Sequence, residues 1–111
     1  MNNDIAELEL NIETAKELMQ QRDALLRLND NHDFKKIIAK GYFEDEAIRL
    51  AHCTADPNQK NHRDEIMISL QAISVLKQHL HYIIVMGNNA EQAMLEAEET
   101  LDEIRAEGGE V

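Results

Sequence analysis

The sequence is poor in aromatic residues, with two Tyr, two Phe and no Trp among 111 residues. Gly (4) and Pro (1) are also scarce, which leaves little room for the tight turns that a β-sheet requires. A core must therefore be built from Leu, Ile, Ala and Met, as in helix-on-helix packing. Because 43% of the residues are apolar, we expect a folded chain despite the net charge of −11. The composition predicts one all-α domain over residues 1–111.

Other absences limit the cellular compartment and the classes of binding partner that we expect for the protein. The single Cys53 excludes an internal disulfide framework and suits a reducing cytosol. The first residues lack the basic start and apolar stretch of a signal peptide, and the longest apolar run, 82–86, is far short of the roughly 20 residues that span a bilayer. With 22 acidic residues against 11 basic ones, the chain is expected neither to bind nucleic acid directly nor to attach to an anionic membrane surface.

Residues 3–28 are predicted to form one amphipathic helix. Apolar residues recur at steps of three and four, the spacing of a packed helix face. These residues are Ile5, Leu8, Ile12, Ala15, Met19 and Leu26. Arg22 interrupts the row where an apolar residue would be expected.

Two short central helices are predicted within 33–55. Residues 29–33 favour turns, and Asp33 is a suitable N-cap for a helix over Phe34–Lys40. Gly41 stands where a left-handed residue would end that helix. The second short helix is expected to stop before Pro57, because the residue preceding a proline avoids helical backbone.

Three of the four aromatic residues lie within ten positions of one another. Phe34, Tyr42 and Phe43 form what we call the aromatic knot. A group of this kind usually fills the core between helices. The aromatic knot is therefore predicted to set the helical hairpin, and its residues are candidates for interaction with a partner.

A long C-terminal helix is predicted over 60–107, packed on the N-terminal helix in a coiled-coil-like hairpin or bundle. Its apolar and small residues again step by three and four. The row is Ile66, Leu70, Ile73, Leu76, Leu80, Ile83, Gly87, Ala90, Met94, Ala97, Leu101 and Ile104. Residues 87–89 could end one helix and cap the next, but the row keeps its phase across Gly87, which favours a continuous or bent helix. This row is longer than the 3–28 helix can cover, which predicts a homo-oligomer or docking on a larger protein.

The charge is concentrated near the C-terminus. Residues 91–111 hold eight acidic residues against Arg105 alone. Glu98 and Asp102, like Glu99 and Glu103, are like-charged pairs four residues apart, which weaken an isolated helix. Two interpretations remain open: a solvated face that keeps the protein in solution, or an acidic docking surface for a basic partner.

The sequence offers no catalytic, cofactor or metal site. His79 and His81 point in different directions on a helix, and His62 with Glu65 has no second acid–histidine pair to complete a di-iron site. Cys53 has no evident activating partner and is expected to be inert. We therefore predict a non-enzymatic protein.

The middle of the chain resembles a family of small α-helical proteins of tailed bacteriophages. The segments that carry this resemblance are 33–36, 41–43, 46–50, Asp56-Pro57, Met86-Gly87-Asn88 and 97–104. The resemblance implies a phage protein encoded near virion and assembly genes, located in the host cell cytoplasm or incorporated in the virion. Since such proteins are mostly uncharacterised, it implies no functional residue.

Two functions are predicted on these grounds. The first is a virion-associated or assembly component, such as a structural, scaffold or chaperone protein that binds its own copies or a larger phage protein. The second is an inhibitor of a host or anti-phage defence protein, acting through acidic helices that imitate the charge of nucleic acid.

Overall fold

The computed structural model describes residues 2–108, and every regular element within that range is helical. Helix α1 spans Asn2–Asn29, α2 is a single turn at His32–Phe34, α3 spans Ala47–Ala55 and α4 spans Arg63–Ala106. Wide π-type turns over Lys35–Glu46, here called the π-segment, join α2 to α3, and a 3₁₀ segment at Pro57–His62 leads into α4. The all-α prediction is confirmed.

The contacts within the chain define two compact units. The terminal unit contains the residues up to Leu25 together with those from Ile83 onward. The central unit is Leu26–Tyr82. Both α1 and α4 contribute residues to each unit, because the boundaries fall within these two helices.

The turn after α1 is capped by a different residue from the one predicted. The side chain of Asn31 accepts a hydrogen bond from the backbone N–H of Phe34 at 2.9 Å, so Asn31, and not Asp33, is the N-cap. Asn31 has the extended backbone that a cap requires, whereas Asp33 is already helical. The capping chemistry was predicted correctly, but its position was wrong by two residues.

Gly41 does not end a helix. It lies inside the π-segment with negative φ, and Gly108 is the glycine with positive φ (87°) among the described residues. A Cβ added at Gly41 would lie 3.0 Å from the Lys36 carbonyl oxygen, five residues earlier. The predicted pair of short helices is therefore one run of helical backbone from His32 to Ala55.

The break before α4 is confirmed. Asp56 is extended (φ −80°, ψ 119°), as expected for a residue that precedes proline, and it ends α3. Its side chain accepts a hydrogen bond from the Asn58 N–H at 2.9 Å, which caps the 3₁₀ segment. From Arg63, α4 runs without interruption through Gly87 to Ala106, so the continuous form of the long helix is the correct one.

The core of the terminal unit lies between α1 and the second half of α4. Ile12, Ala97 and Leu101 are buried in one cluster. Ile5, Leu8 and Met94 pack around that cluster. Because Ile12 lies near Ala97 while Arg22 reaches Gly87, the two segments run antiparallel. The seven-residue steps from Ile5 to Ile12 and from Met94 to Leu101 are those of a coiled coil.

Arg22, the charged residue in the α1 row, is buried opposite Gly87. Its guanidinium donates hydrogen bonds to the Gly87 carbonyl (3.3 Å) and to Oδ1 of Asn88 (3.0 Å). It also pairs with Asp23 and Glu91 at 3.0 and 3.3 Å. The hydrogen bond from Arg22 to Asp23 raises the pKa of Arg22, so this side chain stays charged. Gly87 makes room for it, since an added Cβ would lie 2.3 Å from the Arg22 Cβ.

The core of the central unit lies under the first half of α4. Leu50, Ile66 and Ile73 form its buried centre. Tyr42, Phe43, Ala47, Cys53 and Leu70 pack against that centre. The π-segment and α3 therefore cover the part of α4 that α1 does not.

The predicted row along α4 faces protein over nearly its whole length. Leu76 is its most exposed member, with 38% of its surface accessible. The row is longer than α1 alone covers, as expected, but the conclusion that a partner must cover the remainder does not follow, because the π-segment and α3 cover the first half.

We predict that Gly87→Ala lowers the free energy of unfolding by about 1–3 kcal/mol, the usual result of adding a methyl group to a close-packed contact. The loss should occur although Ala favours helix over Gly by about 1 kcal/mol. Chemical denaturation followed by circular dichroism measures the change.

Two further variants show whether contact with Arg22 causes that loss. Asn89→Ala on the exposed side of α4 should be neutral or stabilising, while Arg22→Gly combined with Gly87→Ala should recover stability relative to the sum of the single changes. Strictly additive effects would show that the two positions do not touch.

Candidate functional site

The net charge of the protein lies in one of the two units. The segments that form the terminal unit hold fourteen acidic and three basic residues, a net of −11. The central unit holds eight of each and is balanced. The protein therefore presents two chemically different surfaces, one strongly acidic and one neutral.

The predicted acidic residues of α4 are all exposed. Glu98, Glu99, Asp102 and Glu103 lie on the side of the helix away from the buried Ala97 and Leu101. None of the four has an ion-pair partner within residues 2–108. We call these four residues the acidic cluster.

Helix α1 adds to the same negative surface. Its exposed acidic residues are Asp4, Glu7, Glu9, Glu13 and Glu17. Arg105 of α4 approaches Glu9, with 3.7 Å between Nη2 and Oε1. Arg22 already forms ion pairs with Asp23 and Glu91. The negative charge of most other carboxylates in the terminal unit is therefore compensated by solvent or by a partner.

The first half of α4 has a second apolar row that the sequence analysis missed. Ile68, Val75 and Tyr82 recur every seven residues and are 65%, 63% and 57% exposed. Gln71, Ala72, Gln78 and His79, all exposed, flank them. We call these seven residues the uncharged face.

The single charge of this stretch points away from the uncharged face. Between Glu65 and Glu91, Lys77 is the only Lys, Arg, Asp or Glu. Its Nζ lies 6.0 Å from the centre of the Phe43 ring, on the side of α4 that faces the core. The uncharged face could have been found from this gap in charge together with the spacing of Ile68, Val75 and Tyr82.

The aromatic knot is only partly brought together. The rings of Tyr42 and Phe43 lie 5.9 Å apart at 44°, and both pack on the core of the central unit. Phe34 is half-buried and belongs to neither of the core clusters described here. Tyr42 and Phe43 therefore fill a core, as the sequence indicated, and their role in binding a partner stays a prediction.

An open groove of about 340 Å³ in the central unit contains Cys53. Nη1 of Arg49 lies 3.9 Å from the Cys53 sulfur. This charged neighbour was not predicted, although Arg49 lies one helical turn before the thiol. On the other wall, His62 Nδ1 lies 3.6 Å from Oε2 of Glu65.

Arg49 is itself held by Glu46. The hydrogen bond from Arg49 lowers the pKa of the Glu46 carboxyl, and the same pair raises the pKa of Arg49. Because the folded-state pKa of Glu46 is lowered, the stabilisation is present above the ordinary pKa of the carboxyl and is lost as the pH falls through the lower value. The Arg49 side chain is 62% exposed and that of Glu46 is 33% exposed, so solvent screens this pair and it contributes little to stability.

No helix among the described residues combines the length and apolar character needed to cross a membrane. No group of three or more His, Cys, Asp or Glu side chains among them is placed to hold a metal ion.

Comparison with protein-family models, with curated proteins and with solved structures finds no match to this chain. The resemblance to a phage family therefore stays a prediction from the sequence.

We predict that Glu103→Lys raises the midpoint of thermal unfolding at low salt. The change removes like-charged pairs with Glu99 and Glu107 and creates attractive pairs, each worth about 0.2–0.5 kcal/mol. Glu103→Gln, which only removes the repulsion, should give a smaller rise. Both gains should shrink in 1 M salt, where the Debye length is about 3 Å. A gain of equal size at all salt concentrations would rule out repulsion within the acidic cluster.

Proposed function

We propose that this protein acts without catalysis, by association with other proteins, as a structural, scaffold or chaperone component of bacteriophage assembly. The observation that carries the proposal is the separation of an uncharged, partly apolar surface on a neutral unit from an acidic surface on the other. The first surface has the uncharged composition of an interface core, and the second has the charge that a basic partner would complement.

The uncharged face supports association most directly. Exposed apolar residues are ordinary when scattered, but three at one helical spacing form a continuous row. A protein with 30% charged residues leaves this row free of charge over the exposed side of more than four helical turns. Such a surface lowers its free energy when another apolar surface covers it.

The phage setting comes from the resemblance of residues 33–50 and of the later segments. In that setting, the protein would act in the host cell cytoplasm or be incorporated in the virion. The acidic surface would prevent unwanted binding to the packaged nucleic acid, because phosphates and carboxylates repel each other.

We predict that tagged protein isolated from phage-infected cells carries particle proteins or assembly intermediates with it, as measured by mass spectrometry. Val75→Glu should greatly reduce this recovery by placing a charge in the uncharged face. Leu10→Glu is the matched control, because Leu10 is 66% exposed and lies outside that face. Absence of the protein from both particles and intermediates would contradict the proposal.

A second candidate function is inhibition of a host or defence protein by charge mimicry of nucleic acid. The exposed carboxylates on both helices of the terminal unit favour it. A basic partner would be attracted from a distance and would neutralise the acidic cluster.

We predict for this alternative that capture of a basic host protein weakens as salt increases. Reversal of all four residues of the acidic cluster to Lys should weaken it further, while Val75→Glu should leave it unchanged. Capture that survives the reversal at low salt would exclude charge mimicry.

A further inference from the structure

We propose that the uncharged face of α4 binds a second copy of this chain as an antiparallel, two-fold symmetric helix pair. The inference rests on the proposed association function and names the partner of that surface. Since an α-helix drifts by only about 20° in seven residues, Ile68, Val75 and Tyr82 present one nearly straight row to a facing helix. Their exposed fractions of 65%, 63% and 57% leave the row free for such contact.

The charge distribution favours an uncharged partner surface, such as that of a second copy, over a basic partner. Each chain carries −11, so two copies repel each other wherever their carboxylates meet. The uncharged face has no carboxylate, and Lys77 points to the opposite side of α4. A basic partner would gain nothing from this surface and would bind the terminal unit instead.

The uncharged face is self-complementary about Val75. In a two-fold interface each contact occurs twice with the roles exchanged. An axis through Val75 places this residue on Val75 of the second copy and Ile68 against Tyr82 of the second copy. The same axis keeps each flank on its own side, so the small Ala72 lies beside His79 of the second copy and Gln71 lies beside Gln78 of the second copy. Aliphatic side chains thus meet an aromatic ring, and the amides of the two glutamines lie beside each other.

The antiparallel alignment is favoured over the parallel one by the acidic residues that precede the face. In a parallel pair, Asp64 and Glu65 would face the same residues of the second copy, which places like charges together. In an antiparallel pair they lie at opposite ends of the contact. This repulsion therefore favours the antiparallel alignment, which the equal seven-residue spacing of Ile68 and Tyr82 from Val75 allows.

The size of the contact indicates a reversible dimer. Ile68, Val75 and Tyr82 expose on the order of 350 Å² per chain, within the range of functional patches on monomers. With the flanking residues, two chains would bury on the order of 1,000 Å², just below the standard size of specific interfaces. Dimerisation should therefore depend on protein concentration and strengthen with salt, which screens the repulsion between the acidic surfaces.

Disulfide cross-linking tests the surface and its register. In a Cys53→Ala background, Val75→Cys should form a covalent dimer under mild oxidation, because the two thiols lie at the axis. Ile68→Cys alone and Tyr82→Cys alone should not, because the distance from each residue to its own copy would be about 21 Å, far beyond disulfide reach. A mixture of these two variants should form the mixed dimer. All three positions are exposed, so folding is expected to persist and circular dichroism checks it.

Sedimentation over a range of protein and salt concentrations gives an independent measurement. Val75→Glu should raise the dissociation constant of the dimer at least about tenfold. Val75→Lys should do the same, and mixing the two should restore association, since opposite charges then meet at the axis. Leu10→Glu should change the dissociation constant much less, because its added charge acts only through the screened repulsion between the acidic surfaces.

The outcomes separate this inference from the proposed function. Self-linkage of Ile68→Cys would overturn the antiparallel register. A dimer that forms without linkage of Val75→Cys would overturn the assignment of the face. A protein that stays monomeric at every concentration would overturn self-association. If Val75→Glu nonetheless lost the particle proteins, the proposed function would stand with a different partner for the same face.

Discussion

The fold depends on the burial of a single row of side chains along α4. Both core clusters include side chains of this 44-residue helix, whose apolar side must be covered by other segments of the chain. Two different structures provide the cover: α1 packs on the second half, and the π-segment with α3 packs on the first. The same chain therefore contains a coiled-coil-like pair and a more irregular packing. The division into an acidic and a neutral unit follows from this arrangement.

Arg22 illustrates how a charged residue can occupy a core position. Its aliphatic stem lies against Gly87, where the missing side chain leaves space, and its guanidinium reaches groups at the edge of the contact. A carbonyl of α4 accepts one of its hydrogen bonds, and nearby carboxylates balance its charge. The charged residue in the α1 row, Arg22, and the glycine in the α4 row, Gly87, are thus the two sides of one contact. This pairing also aligns α1 with α4, because no other position in the row offers the same space.

Much of the fold could be predicted from the sequence because helical periodicity is a strong signal. The extents of α1 and α4, the break at Asp56-Pro57 and the buried row were all found in this way. The π-segment could not be predicted, since Gly41 carries the same sequence signal whether it ends a helix or lies inside one. Cover for the first half of α4 was missed because it comes from residues with no regular pattern.

The candidate surfaces were predicted less completely than the fold. The exposure of the acidic cluster follows from its composition, so sequence alone identified it. The uncharged face was not predicted, because its apolar residues alternate in the sequence with those of the buried row and were not recognised as a second row. Ile66 and Ile68 are the same residue type, and only their positions around the helix axis make Ile66 buried and Ile68 exposed. Contacts between side chains distant in sequence, such as Arg22 with Gly87, also lay beyond the reach of spacing alone.

The close contact between Arg22 and Gly87 limits the order in which these two positions can change during evolution. With Arg22 in place, any side chain at position 87 collides with its stem. Alanine at position 87 lowers the stability as long as Arg22 remains, whereas loss of the side chain at position 22 first removes the collision. Related chains are therefore expected to keep a glycine at one or the other of these positions, and an exchange through an intermediate with glycine at both avoids the collision.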